Sequence, residues 1–172
     1  MKKRWMTTTA IALAFSALCS SAAFAQGWER TGNKWFYWQE DGTVARNMWI
    51  TNEAGQCYWV EANGEMASAQ WVYDNEAWYY VGSGGEKLTS QMLELDGNKK
   101  YWLGEDGKMA ASQWIKTDEG KWYYFQEDGT AVTSKWYTID GEEYYFLKSG
   151  VMAADALVPG GGRVDADGHK VR

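Results

Sequence analysis

The stretch from Gln113 to Gly129, QWIKTDEGKWYYFQEDG, decides how this chain folds. Trp114-Ile115-Lys116 is a short β-prone run, and Thr117-Asp118-Glu119-Gly120 is a cluster of turn formers. Trp122-Tyr123-Tyr124-Phe125 is an aromatic strand, after which Glu127-Asp128-Gly129 turns the chain again. Aromatic and β-branched residues fit a pleated surface, and bounding them with Gly and Asp makes one hairpin.

Working outward, the same unit returns at a period of 21 or 22 residues. Turn glycines stand at Gly42, Gly64, Gly85, Gly107, Gly129 and Gly150. Seven residues after each comes a large apolar residue: Trp49, Trp71, Met92, Trp114, Trp136 and Leu157, with Trp28 opening the series. The second strands read Trp35-Phe36-Tyr37-Trp38, Cys57-Tyr58-Trp59-Val60, Trp78-Tyr79-Tyr80-Val81, Lys100-Tyr101-Trp102-Leu103, Trp122-Tyr123-Tyr124-Phe125 and Glu143-Tyr144-Tyr145-Phe146. Six units therefore start near Gly27, Met48, Gln70, Gln91, Gln113 and Lys135. A lone hairpin is marginal in water because nothing covers its apolar face, so the units are expected to stack into an all-β solenoid. Residues 26–156 read as the six-hairpin solenoid. Residues 157–172 read as a degenerate repeat serving as a C-terminal cap, since Asp165-Ala166-Asp167-Gly168 echoes the Asp-x-Gly turns.

The first 25 residues are of another kind. Lys2, Lys3 and Arg4 precede an apolar run from Ala10 to Leu18 and small residues ending Ala23-Phe24-Ala25, the pattern of a cleaved secretory signal peptide. Cleavage removes Cys19, leaves Cys57 as a lone thiol filling a small interface gap, and excludes an intramolecular disulfide. It also removes three positive charges and no negative one, taking the formal charge from -6 to -9. So acidic a chain makes a poor partner for nucleic acid or an anionic membrane, and no membrane insertion is expected. Twelve Trp and eleven Tyr against few aliphatic residues make the apolar surface mostly aromatic.

The unit Gln113-Trp114-Ile115-Lys116 … Gly120-Lys121-Trp122-Tyr123-Tyr124-Phe125 … Glu127-Asp128-Gly129 resembles the choline-binding, or cell-wall-binding, repeat of bacterial surface proteins, and the resemblance covers essentially all of the chain after the leader. It implies hairpins stacked into a solenoid, with choline of teichoic or lipoteichoic acid held between consecutive hairpins. The cage of that family uses the opening Trp and the first aromatic of the second strand, completed by a Tyr of the following repeat. Carried over, it gives three cages: Trp28 and Trp35 with Tyr58, Trp71 and Trp78 with Tyr101, and Trp114 and Trp122 with Tyr144. Even-numbered repeats break the pattern, because Cys57, Lys100 and Glu143 stand where an aromatic belongs and Met92 replaces an opening Trp; those junctions are expected to be structural or weak. The sequence also departs in the residue before the opening Trp, where only Gly27 matches the family's Gly, and in a spacing from turn Gly to Trp that is one residue longer.

The chemistry suits the ligand. A quaternary ammonium cannot donate a hydrogen bond and is held by ring faces, whose quadrupole attracts cations. Phe36, Tyr79, Tyr80, Tyr123, Tyr124 and Phe125 are instead expected to pack the solenoid, with Trp122 and Tyr124 facing one way and Tyr123 and Phe125 the other. His169 reads as a surface residue, and Asp165 and Asp167 as a turn, not a calcium loop. No catalytic constellation, metal site or cofactor site is expected. The function implied is a secreted, non-catalytic module associated with the bacterial wall or surface. The rivals are a carbohydrate-binding repeat, as in clostridial toxins and glucan-binding glucosyltransferases, and an adhesin for a host protein. Pairing into a homodimer through the end hairpins stays open.

Overall fold

The computed structural model describes residues 26–171. The leader read over 1–25, Cys19 included, lies outside the described residues. Within them the regular elements are strands, and six successive pairs form antiparallel hairpins. These are β1 (Gly27–Thr31) with β2 (Lys34–Trp38), β3 (Met48–Thr51) with β4 (Cys57–Val60), β5 (Gln70–Asp74) with β6 (Ala77–Val81), β7 (Gln91–Leu95) with β8 (Lys99–Leu103), β9 (Gln113–Lys116) with β10 (Trp122–Phe125), and β11 (Lys135–Ile139) with β12 (Glu142–Phe146). A three-stranded sheet of β13 (Ala156–Leu157), β14 (Arg163–Val164) and β15 (Lys170–Val171) follows. The hairpins open at the six residues where the sequence units begin, so the all-β hairpin solenoid is the fold.

Asx chemistry shapes the turns between hairpins. Gln126 N–H donates to the Thr130 carbonyl at 2.9 Å and Gly129 N–H returns to the Gln126 carbonyl at 2.9 Å. Gly129 sits at φ 79°, the left-handed conformation that glycine adopts without steric cost. Asp128 Oδ1 accepts from both the N–H and the hydroxyl of Thr130, at 2.9 and 2.6 Å. Asp41 does the same for Thr43, while Asp106 and Asp165 accept from the N–H groups of Lys108 and Asp167.

Immediately after each turn, two residues clasp consecutive hairpins together. Met66 N–H donates to the Trp35 carbonyl of the hairpin before, and Ala67 N–H to the Trp59 carbonyl of its own, at 2.8 and 2.9 Å. The backward bond recurs from Lys87 to Cys57, Met109 to Trp78, Ala131 to Lys100 and Met152 to Trp122, at 2.7 to 2.8 Å. A bridge between Tyr144 and His169 continues the pattern into the tail. The ring of His169 lies 5.2 Å from that of Tyr144 while its side chain stays 40% exposed, a surface residue as expected but one that leans on the hairpin before it.

The core is divided the same way. Val60, Val81, Leu103, Phe125, Phe146 and Val164, each the last residue of its hairpin's second strand or of β14, are fully buried. Each contributes about 1.5–3 kcal/mol. They gather into separate clusters between neighbouring hairpins, such as Ile50 and Val60 under Trp28 and Tyr37, or Phe125 under Met92 and Trp102. Of the aromatics expected to pack, Phe125 and Tyr79 are buried, and Phe36, Tyr80, Tyr123 and Tyr124 are half-buried.

The residue two before each opening apolar residue adopts the left-handed conformation: Asn47, Ala69, Ser90, Ser112, Ser134 and Asp155, at φ between 44° and 53°. That geometry aims the Ala69 N–H at the Gly82 carbonyl and the Ser90 N–H at the Gly104 carbonyl, both at 2.8 Å.

Candidate functional site: aromatic clefts between hairpins

Strand alternation gives each hairpin two faces. Trp114 lies opposite Tyr124 across β9 and β10, and Lys116 opposite Trp122, so these four share the face turned to the next hairpin. From that hairpin comes Tyr144. The rings of Trp114 and Trp122 are 6.1 Å apart with planes at 88°, and Trp114 meets Tyr144 at 5.0 Å and 74°. Two indoles at a right angle with a phenol beside them form a corner, and the corner is open. Trp122 is 39% exposed, and these rings line a 640 Å³ cleft shared with Met152 and Asp167.

The second predicted group repeats this arrangement. Trp71 and Trp78 are 6.5 Å apart at 87°, Trp71 and Tyr101 are 4.9 Å apart at 68°, and Trp78 is 45% exposed. In the first group Trp28 meets Tyr58 at 5.6 Å and 69°. Trp35 is held beside them through its carbonyl, and among the described residues no ring-to-ring contact joins it to Trp28. Eight of the nine residues are thus in ring contact within their groups, and the ninth is carried by the backbone clasp.

The intervening junctions are built differently: the one at Trp49 is filled by rings, whereas the one at Met92 and Lys100 keeps a 300 Å³ cleft lined also by Trp102 and Tyr123. Trp49 packs on Trp59 at 5.2 Å and on Tyr79 at 5.3 Å, and its indole N–H donates to Asp74 Oδ2 at 3.1 Å. Tyr79 is only 9% exposed. Where Met92 opens a repeat, Lys100 turns to Glu94 at 2.6 Å. Cys57 rests against the Thr51 hydroxyl at 3.2 Å.

The electrostatics of the third cleft suit a cation. Burial pushes the Tyr144 phenol above its ordinary value, and Glu142, Asp140, Asp165 and Asp167 push it further. The same carboxylates place a negative field at the ring. Tyr58 is raised too, by burial and then by Glu86. Both phenols stay neutral at physiological pH, with π-faces intact.

Sequence reasoning missed Met66, Met109 and Met152. Each makes the backward clasp to the carbonyl of Trp35, Trp78 or Trp122, and Met152 lines the third cleft. Their signal was legible: two residues past the turn glycine, Met stands in alternate units only, at the junctions that hold the three aromatic groups.

Hairpins clasped in series with groups of aromatic rings at alternate junctions define a β-hairpin repeat module. Two family models match: the choline-binding repeat over residues 43–86, and the cell wall binding repeat over 94–109, 112–131 and 134–152. This chain belongs to that choline-binding, cell-wall-binding repeat family. Among solved structures it is similar to choline binding protein F from Streptococcus pneumoniae, at 30% identity and TM-score 0.67, over 86% of this chain and 48% of that one. It is also similar to the choline-binding domain of CbpL from the same organism, at 27% identity and TM-score 0.52, over 86% of this chain and 98% of that domain. Truncated alternansucrase from Leuconostoc mesenteroides shares the fold at 20% identity and TM-score 0.57, over 62% of this chain and 10% of that one. The chain spans about half the length of choline binding protein F. No curated protein matches it.

Proposed function

We propose that this chain is a non-catalytic module that attaches to a choline-bearing wall polymer, teichoic or lipoteichoic acid, through the three aromatic clefts. The reading rests on the paired perpendicular indoles with a neighbouring tyrosine, at Trp114, Trp122 and Tyr144 above all. A corner of ring faces receives a compact methylated ammonium from two sides, whereas a flat sugar ring is served better by one open face. Family membership and the leader read in residues 1–25 support a secreted, wall-associated protein.

Each ring contributes on the order of 0.5–2 kcal/mol, so one cleft binds with roughly millimolar affinity. A polymer carrying many cholines raises this by roughly 10²- to 10⁴-fold, because the first contact concentrates the next. Retention on a quaternary-amine resin and elution by free choline are expected. Elution by salt alone, with free choline ineffective, would show ion exchange and defeat the reading.

A further inference from the structure

Two residues past the turn glycine the chain reads Met66, Lys87, Met109, Ala131, Met152 and Lys170. The methionines belong to the three clefts. Both lysines belong to junctions where the aromatic is missing, and both point their ammonium groups at the rings that remain. Lys87 Nζ lies 5.3 Å from the centre of Trp49 and 5.4 Å from that of Tyr79, so it touches rings of two different hairpins. It donates at 3.0 Å to the Asp106 carbonyl. Lys170 Nζ lies 4.9 Å from the centre of Trp136 and pairs at 2.8 Å with Glu143, the residue replacing the aromatic there. Lys87 follows Glu86, which bridges to Tyr58, as Lys170 follows His169, which bridges to Tyr144. The two lysines therefore sit at the same place in the repeat. Lys116 lies 5.4 Å from the Trp122 ring inside the third cleft, and Lys135 lies over Tyr137, but these differ, since each reaches a ring of its own hairpin and bridges no two units.

The geometry points to Lys87 and Lys170 as internal ligands: their tethered ammonium groups occupy, at two of the three intervening junctions, the place a quaternary ammonium takes in the open clefts, while the third, with Met92, Lys100 and Ala131, lacks the two leading aromatics instead. The inference rests on the choline reading for what is excluded, but not for the lysine contacts. A tethered cation is present at high effective concentration, and a millimolar ligand does not displace it.

Nuclear magnetic resonance of the full chain tests the contacts directly. Ring currents should move the ε-methylene protons of Lys87 and Lys170 upfield of those of Lys121, whose ammonium pairs with Glu119. Ordinary shifts for both would overturn the inference. Exclusion is tested by counting choline sites in equilibrium dialysis. Cys57→Trp alone should add none, and Cys57→Trp with Lys87→Met should add one. A gain from Cys57→Trp alone, or no gain from a folded double variant, would overturn it. If the unsubstituted protein takes up no choline, the choline reading fails and the ring-current measurement decides the lysine contacts alone.

Discussion

Trp122 shows how one side chain carries binding without carrying the fold. It is partly exposed, stands perpendicular to Trp114, and contributes its carbonyl to the clasp from Met152. Trp122→Ala keeps that carbonyl and removes only the ring face. Choline affinity at the third cleft is expected to fall about 2- to 30-fold, the equivalent of 0.5–2 kcal/mol, with little change in melting temperature. Lys100→Ala, at a junction without the two leading aromatics, should leave retention on the resin unchanged. An equal loss from both would contradict the assignment of sites to alternate junctions. The aromatic walls were legible only through the resemblance to the choline-binding repeat, whose pattern was carried over residue by residue onto rings that the strand alternation then sets on one face. Met152 left a signal in its alternation with Lys and Ala two residues past the turn glycine, but its place beside the rings depends on a connecting segment whose path only the clasp hydrogen bonds reveal.

At the level of the hairpin, the turns and the bends before each strand set opposite demands. The Asp41 and Asp128 carboxyls lie below the usual carboxylate range chiefly because they accept from the hydroxyls of Thr43 and Thr130. Asp106 is lowered chiefly by the Lys108 N–H, and Asp165 by the His169 N–H. A carboxyl depressed in the folded state adds stability that is complete above its unfolded value, about 3.9, and is lost as pH falls through the folded one. Melting temperature followed from pH 6 downward should thus fall below about pH 4, less steeply in Asp106→Asn/Asp128→Asn; an unchanged slope would remove the turns from the account. The bend at Ala69 holds a Cβ-bearing residue at φ 49°, a conformation costing on the order of 1–2 kcal/mol. Ala69→Gly should therefore stabilise the protein by about 1 kcal/mol, read as a higher denaturation midpoint. Strand positions were legible because aromatic runs and turn residues mark them. The left-handed bends were not, since Asn, Ala, Ser and Asp share no signature and only the repeated N–H to carbonyl bond forces the backbone there.

Across the whole molecule, stability is distributed among junctions, because each hairpin is buried only against its neighbours. The overall architecture was legible from the period alone: units that cannot cover their own faces must cover one another. Which junctions stay open was half legible. Loss of an aromatic marked the exceptions, but a lysine reaching back from the following unit was invisible until the stack placed it over Trp49 and Trp136.

The alternation of methionine and lysine or alanine along the clasp makes the pair of hairpins, not the single one, the natural length for shortening this protein. Excising residues 70–112 brings the second hairpin against the fifth, whose back face already meets an even-numbered hairpin, so the remaining order stays in phase and two binding clefts survive. Excising only residues 70–90 sets Trp49 and Cys57 against Tyr101 and Met109, a hybrid with neither a full aromatic wall nor a plug. The first deletion should give a cooperatively melting protein with one choline equivalent fewer, and the second a mismatched seam that frays at lower temperature.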